Sequence, residues 1–182
     1  LNNKFSCLGP RFKNINNKNF IQSRIKSEIG YVNAISGAAM FFYTKNFDYI
    51  GGFDENIFLY FEETDYCKRC EKNDLKSYQL NKIRIKKNGR SVVFEDENEN
   101  DKLEKLLIWH FTWSKYYFYR KHHNKISTFL YFQPILFRSL FKIFFFFIFR
   151  KKGKFEKYKY RIDGLISSFL KKKSYLRINE IL

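Results

Sequence analysis

The sequence predicts an α/β chain that ends in basic amphipathic helices. β-prone runs at 31–43 and 78–85 alternate with helical stretches, as in an α/β fold. From Leu103 onward, apolar and aromatic residues recur at spacings of three and four, the helical period. Lysines then crowd the C-terminal side of the apolar stretch Phe129 to Phe149. Hydrophobic content of 45% and aromatic content of 21% exclude disorder over most of the length, and 182 residues suffice for a sizeable core.

Residues 1–28 are polar and rich in Asn and Lys, with Gly9-Pro10 as a turn signal. Tyr31 to Tyr43 reads as a strand, a small-residue break and a second strand. Within the break, Gly37 lets a ligand or another strand approach the backbone closely, and close packing explains it equally well. Lys45 to Ile50 reads as a short helix closed by Gly51-Gly52. Phe58, Leu59, Tyr60 and Phe61 are apolar enough to be buried. Glu62 to Asn73 is the next helix, with Asp65 and Arg69 paired four residues apart. Tyr78, Leu80, Ile83 and Ile85 mark a strand, Lys87 to Ser91 a turn, and Glu95 to Glu104 a solvated acidic loop leading into a helix.

In the aromatic helix from Leu103 to His123, Trp109, Trp113, Tyr116, Tyr117 and Arg120 form a stripe. Such a stripe is more often core than a sugar platform. Pro134, Arg138 and Lys142 interrupt the apolar stretch that follows. A charge near the centre of a spanning helix costs about 2.5–3.5 kcal/mol. A helix lying in the membrane interface therefore suits better, with Lys151, Lys152 and Lys154 on anionic headgroups. The competing reading is a helix that covers a missing half of the domain. The tail, from Gly164-Leu165-Ile166 to Lys171-Lys172-Lys173, reads as one more basic amphipathic helix.

The formal charge of +17, from 35 Lys and Arg against 18 Asp and Glu, favours an anionic partner: phosphate-bearing substrate, anionic lipid or nucleic acid. AT-rich coding, which enriches Phe, Lys, Asn and Ile together, also contributes to it. Cys7, Cys67 and Cys70 do not make a disulfide framework. Cys67-Lys68-Arg69-Cys70 lacks the second pair or nearby His of a zinc site and the preceding strand of a redox motif. The three read as ordinary thiols of a reducing compartment.

The chemistry concentrates where Glu62, Glu63 and Asp65 follow the aromatic run. Carboxylates beside apolar surface have raised pKa values, which suits a general base. Acidic residues in a first helical turn also simply complement the macrodipole, and that alternative stands beside the first.

Gly51-Gly52-Phe53-Asp54-Glu55, followed by Phe58-Leu59-Tyr60-Phe61-Glu62-Glu63-Thr64-Asp65-Tyr66-Cys67-Lys68-Arg69, resembles the acceptor-side segment of family-2 glycosyltransferases, in the rhamnosyltransferase-like branch. Ser36-Gly37-Ala38-Ala39-Met40 is similar to the small-residue strand before that segment, and Trp109-His110-Phe111-Thr112-Trp113-Ser114-Lys115-Tyr116-Tyr117-Phe118-Tyr119 to the family's aromatic Trp-His motif. The resemblance implies the second half of a GT-A-type fold, with residues 1–114 as the acceptor-side half and 115–182 as a basic, membrane-proximal region. It also implies that the donor-binding half, with its Asp-x-Asp, lies upstream. The chain begins at Leu1 with no signal segment, which fits a fragment that alone binds donor poorly and turns over little.

By the same resemblance Glu63 is the base, where many relatives carry Asp, with Glu62 and Asp65 in support and Asp65 acting through Arg69. Gly37, Asp54, Glu55, Trp109 and His110 fall at substrate-binding positions. A divalent cation, Mg²⁺ or Mn²⁺, takes its main ligands upstream. Relatives place a metal-binding His where this chain has Lys87, and an ammonium cannot bind a cation. Lys87 is then either a direct diphosphate neutraliser or the mark of a weakened metal site. His110 is the other metal candidate, although a His between aromatics is more often structural. The implied partners are a nucleotide-sugar donor, a glycan or lipid-linked acceptor of the bacterial surface, and the inner face of the cell membrane, with no nucleic acid expected. The rival readings are a non-enzymatic basic module for membrane or nucleic acid, and a degenerate transferase.

Overall fold

The structure is a computed structural model that describes residues 5–14, 27–87 and 94–181. The fold is mixed α/β. The chain forms two compact units, one from 1–54 and 62–92, the other from 55–61 and 93–182. Residues 114 and 115 lie within one continuous helix, so the expected boundary between them does not coincide with the division into units.

The first unit is a four-stranded sheet, in the order β2-β4-β1-β3, with two helices. Its elements are β1 (Phe5–Asn14), β2 (Ile29–Val32), β3 (Phe41–Phe42), α1 (Thr44–Ile50), α2 (Glu62–Glu71) and β4 (Lys76–Lys87). β1 and β4 run parallel, and the edge strands pair antiparallel to them. Buried Cys7, Val32, Ala34, Ile35, Tyr66, Cys67 and Cys70 make the core between sheet and α2. Gly9-Pro10 is no turn but mid-strand in β1, a correction with a local cause. The β1–β4 register shifts between Pro10 and Arg11, where an imide without N–H is tolerated, and Gly9 lies close against Ile35.

α1 ends as the sequence suggests, at Gly51 with φ +88°, the left-handed conformation that favours glycine. Phe53 then joins Phe42, Phe47 and Tyr66 in a ring cluster with centroids 4.8–5.9 Å apart. All three thiols are buried and free, and Cys7 Sγ lies 3.6 Å from Cys67 Sγ. The Cys7 contact pulls the Cys67 thiol down to about 7 and pushes Cys7 up.

The second unit contains α3 (Glu97–His122), α4 (Lys125–Ile148), α5 (Lys152–Phe169) and a 3₁₀ turn at Ile178–Glu180. The acidic stretch 95–104 is mostly helix rather than loop. Asp96 caps α3 by accepting from the Asn98 amide at 2.8 Å, and Asp101 pairs with Lys105 at 3.0 Å. Trp109 and Trp113 pack with Leu176 and Ile181, while Tyr116 packs with Phe132 and Leu165. α5 stops at Phe169, so Lys171 to Lys173 lie beyond it instead of within it; Lys171 has φ +59°. The segment that follows returns to α3.

α5 approaches α3 at Gly164, where an added Cβ would sit 2.5 Å from the Trp109 carbonyl oxygen. Ala gains up to about 1 kcal/mol over Gly in a helix, but backbone facing backbone cannot yield cheaply. Gly164→Ala is therefore expected to destabilise this unit by about 1–3 kcal/mol. A denaturant titration followed by tryptophan fluorescence reads it, because both tryptophans belong to this unit.

Candidate functional site

α2 opens with Glu62, Glu63 and Asp65 in its first turn. Immediately before it, Tyr60 and Phe61 hold φ +65° and +71°, left-handed values that cost aromatic residues about 1–3 kcal/mol each. Contacts within the second unit hold them there. Ser114 Oγ donates to the Leu59 carbonyl at 2.7 Å, and the Phe61 ring lies 5.6 Å from Phe111 and 5.5 Å from Phe118. The run is half-buried and Phe58 is exposed, against the expectation of burial.

Glu62 and Glu63 are both half-buried, and each leaves its Oε2 buried without a hydrogen-bond partner. Burial pushes the Glu62 carboxyl above the usual range, and repulsion from Glu63 adds to the rise, against its own amide. Glu63 Oε1 accepts from the Gly37 amide at 3.4 Å. A Cβ on Gly37 would meet only that carboxyl, at an ordinary 3.7 Å, and otherwise open space. Packing therefore does not demand glycine there.

Asp65 is fully buried and does not face that space. Its Oδ2 accepts from Arg69 Nε at 2.9 Å, the expected pair. Sequence reasoning missed the rest of Arg69, which also donates from Nη1 to the Ile50 carbonyl at 2.7 Å and from Nη2 to the Gly52 carbonyl. One guanidinium thus fastens the Gly51-Gly52-Phe53-Asp54 turn to α2. The signal was half visible, in the i,i+4 spacing; the carbonyls lie 17 and 19 residues away. In the same turn Asp54 is half-buried, while Glu55 is exposed and belongs to the second unit.

Trp109 and His110 belong to the second unit and are fully buried. Trp109 Nε1 donates to Asp163 at 2.6 Å. His110 Nε2 lies 2.9 Å from the Leu176 carbonyl, which can only accept, so this nitrogen carries the proton. Nδ1 then accepts from Ser174 Oγ at 3.0 Å. With both nitrogens engaged, His110 has none left for a metal. Among the described residues no group of three His, Cys, Asp or Glu side chains is placed to hold one. The turn expected at Lys87–Ser91 lies outside the described residues from 88 on, as does the Lys87 side chain.

Comparison with protein-family models, curated proteins and solved structures finds no match.

Burial lowers the His110 pKa, with Arg177 adding to the effect and the Leu176 carbonyl opposing it. A depressed histidine contributes stability that is full above its ordinary value of 6.5 and is lost as pH falls through the lower folded value. The second unit is thus expected to weaken in acid below pH 6.5. Denaturant midpoints at several pH values check this, and His110→Gln should flatten that dependence.

Proposed function

We propose that this chain is the acceptor-side half of an inverting glycosyltransferase of the family-2 type, built on the GT-A plan. It moves a sugar from a nucleotide-sugar donor to a lipid-linked glycan of a bacterial surface, at the cytoplasmic face of the membrane. One observation carries the reading: two adjacent half-buried carboxylates, each with a buried oxygen that has no hydrogen-bond partner, the other oxygen of Glu63 lying at the Gly37 amide. A pair built only to complement a helix dipole would face solvent, where neither carboxyl would lose water.

In this reading Glu63 takes the proton of the acceptor hydroxyl as that oxygen attacks the anomeric carbon, and the nucleoside diphosphate departs. Glu62, its carboxyl raised by burial and by the neighbouring Glu63, is the supporting member of the pair. Asp65 acts through Arg69, which sets the start of α2 against the turn. Donor binding and any Mg²⁺ or Mn²⁺ are assigned to residues outside this chain, with Lys87 as a candidate for the diphosphate. The test is sugar transfer by the protein expressed from its complete reading frame, with Glu63→Gln as the decisive variant.

A specific observation favours membrane attachment as the main role instead. α4 is long and apolar enough to cross a membrane, with 17% of its most apolar window buried. Phe137, Phe141, Phe144 and Phe147 are each more than 60% exposed. With Arg138 and Lys142 on this helix, we place it in the interface, its rings in lipid and Lys151 to Lys154 at the headgroups. A module of this kind binds vesicles equally well with Glu63→Gln and transfers no sugar.

A further inference from the structure

Between α3, α4 and α5, wholly within the second unit, lies a cavity of about 330 Å³. Each helix sends one cation to it: Lys115, Arg138 and Arg161. No carboxylate lines it, and among the described residues none of the three cations forms a salt bridge. Three uncompensated positive charges around one cavity repel one another, and an anion relieves that. Ring contacts hold two of them in place: Arg161 lies 5.0 Å from the Tyr158 ring centroid, and Lys115 Nζ lies 5.2 Å from that of Tyr131.

We propose that this cavity binds the phosphate group of a membrane lipid. Two arginines offer forked donors that match phosphate oxygens, and a lysine adds a point charge. The surroundings argue for an amphiphile. Phe111, on the cavity wall, is 46% exposed, and Phe137 and Phe141, beside Arg138 on α4, are 66% and 63% exposed. An acyl or prenyl chain lies on these rings while its phosphate turns inward. The proposal rests on the membrane-surface reading above for the source of the phosphate, not for the chemistry of the cavity.

The test uses the full chain and a water-soluble short-chain phosphatidic acid, with binding followed by calorimetry. Arg138→Gln with Arg161→Gln should weaken it by roughly tenfold or more. Lys45→Gln with Lys72→Gln, two exposed lysines of the first unit, removes equal charge elsewhere and should leave binding within about twofold. Neither arginine forms a hydrogen bond to the protein among the described residues, and Arg138 is exposed, so the pair should fold; Arg138→Gln alone repeats the test more gently. Equal binding by wild type and cavity variants, or none by wild type, overturns the proposal. Inorganic phosphate binding as tightly as the lipid would assign the site to free phosphate, and tighter binding of a single-stranded oligonucleotide to nucleic acid; either overturns the lipid. Wild type should also prefer phosphatidic acid vesicles to phosphatidylserine vesicles of matched charge, and the cavity variants should lose that preference. Binding of the soluble lipid without vesicle binding sinks the membrane-surface reading and leaves the cavity assignment standing.

Discussion

Glu63→Gln, in the protein expressed from its complete reading frame, is expected to lower sugar transfer by roughly a hundred- to ten-thousand-fold. The amide is nearly isosteric and still accepts the Gly37 N–H through Oε1, so the local structure should stand. What it loses is basicity. Glu63→Asp retains the carboxylate but withdraws it by about a bond length, so partial activity should survive. Glu62→Gln removes the repelling neighbour and should shift the pH profile more than the maximal rate. Initial rates of donor consumption against pH separate the three. Equal loss from all three variants would mean that the acidic turn only supports the fold.

Arg69→Ala is expected to cost the first unit about 3–5 kcal/mol. The change takes the guanidinium from buried Asp65 and strips the Ile50 and Gly52 carbonyls of a donor. Arg69→Lys keeps the charge but cannot span three acceptors at once, and should lie between. The three cysteines are the probe, since all are buried in this unit. Their labelling by a thiol reagent in mild denaturant should accelerate strongly in Arg69→Ala, while the tryptophan signal of the second unit barely moves. Labelling at the wild-type rate would show that the turn is held by the Phe42, Phe47, Phe53 and Tyr66 cluster instead.

What could be read beforehand was what local chemistry determines. α1 and its closing glycine, the start of α2 and the strand at β4 follow from period and caps, and the structure has them there. Asp96 was also legible: Asp followed three residues later by Glu is a helix-start signature, and it outweighs the acidity that suggests a loop. Gly9-Pro10 was not, because its strand is defined by β4, about seventy residues away. The surroundings of His110 were hidden for the same reason. Its partners, Ser174 and Leu176, are 64 and 66 residues downstream, and no spacing around Trp109-His110 announces them. In the site, the acidic pair was visible as sequence. Its contact with Gly37, 26 residues upstream, and the grip of Arg69 on the turn were not.

The most direct measurement of the central claim is acceptor-dependent release of nucleoside diphosphate by the protein from its complete reading frame. It would be run over a panel of nucleotide-sugars, with membrane lipid extract as acceptor. The account predicts that one donor releases diphosphate in step with sugar incorporated into lipid, and that Glu63→Gln abolishes both. Release of no diphosphate from any donor, with vesicle binding undiminished in Glu63→Gln, would contradict it and leave a membrane-binding module.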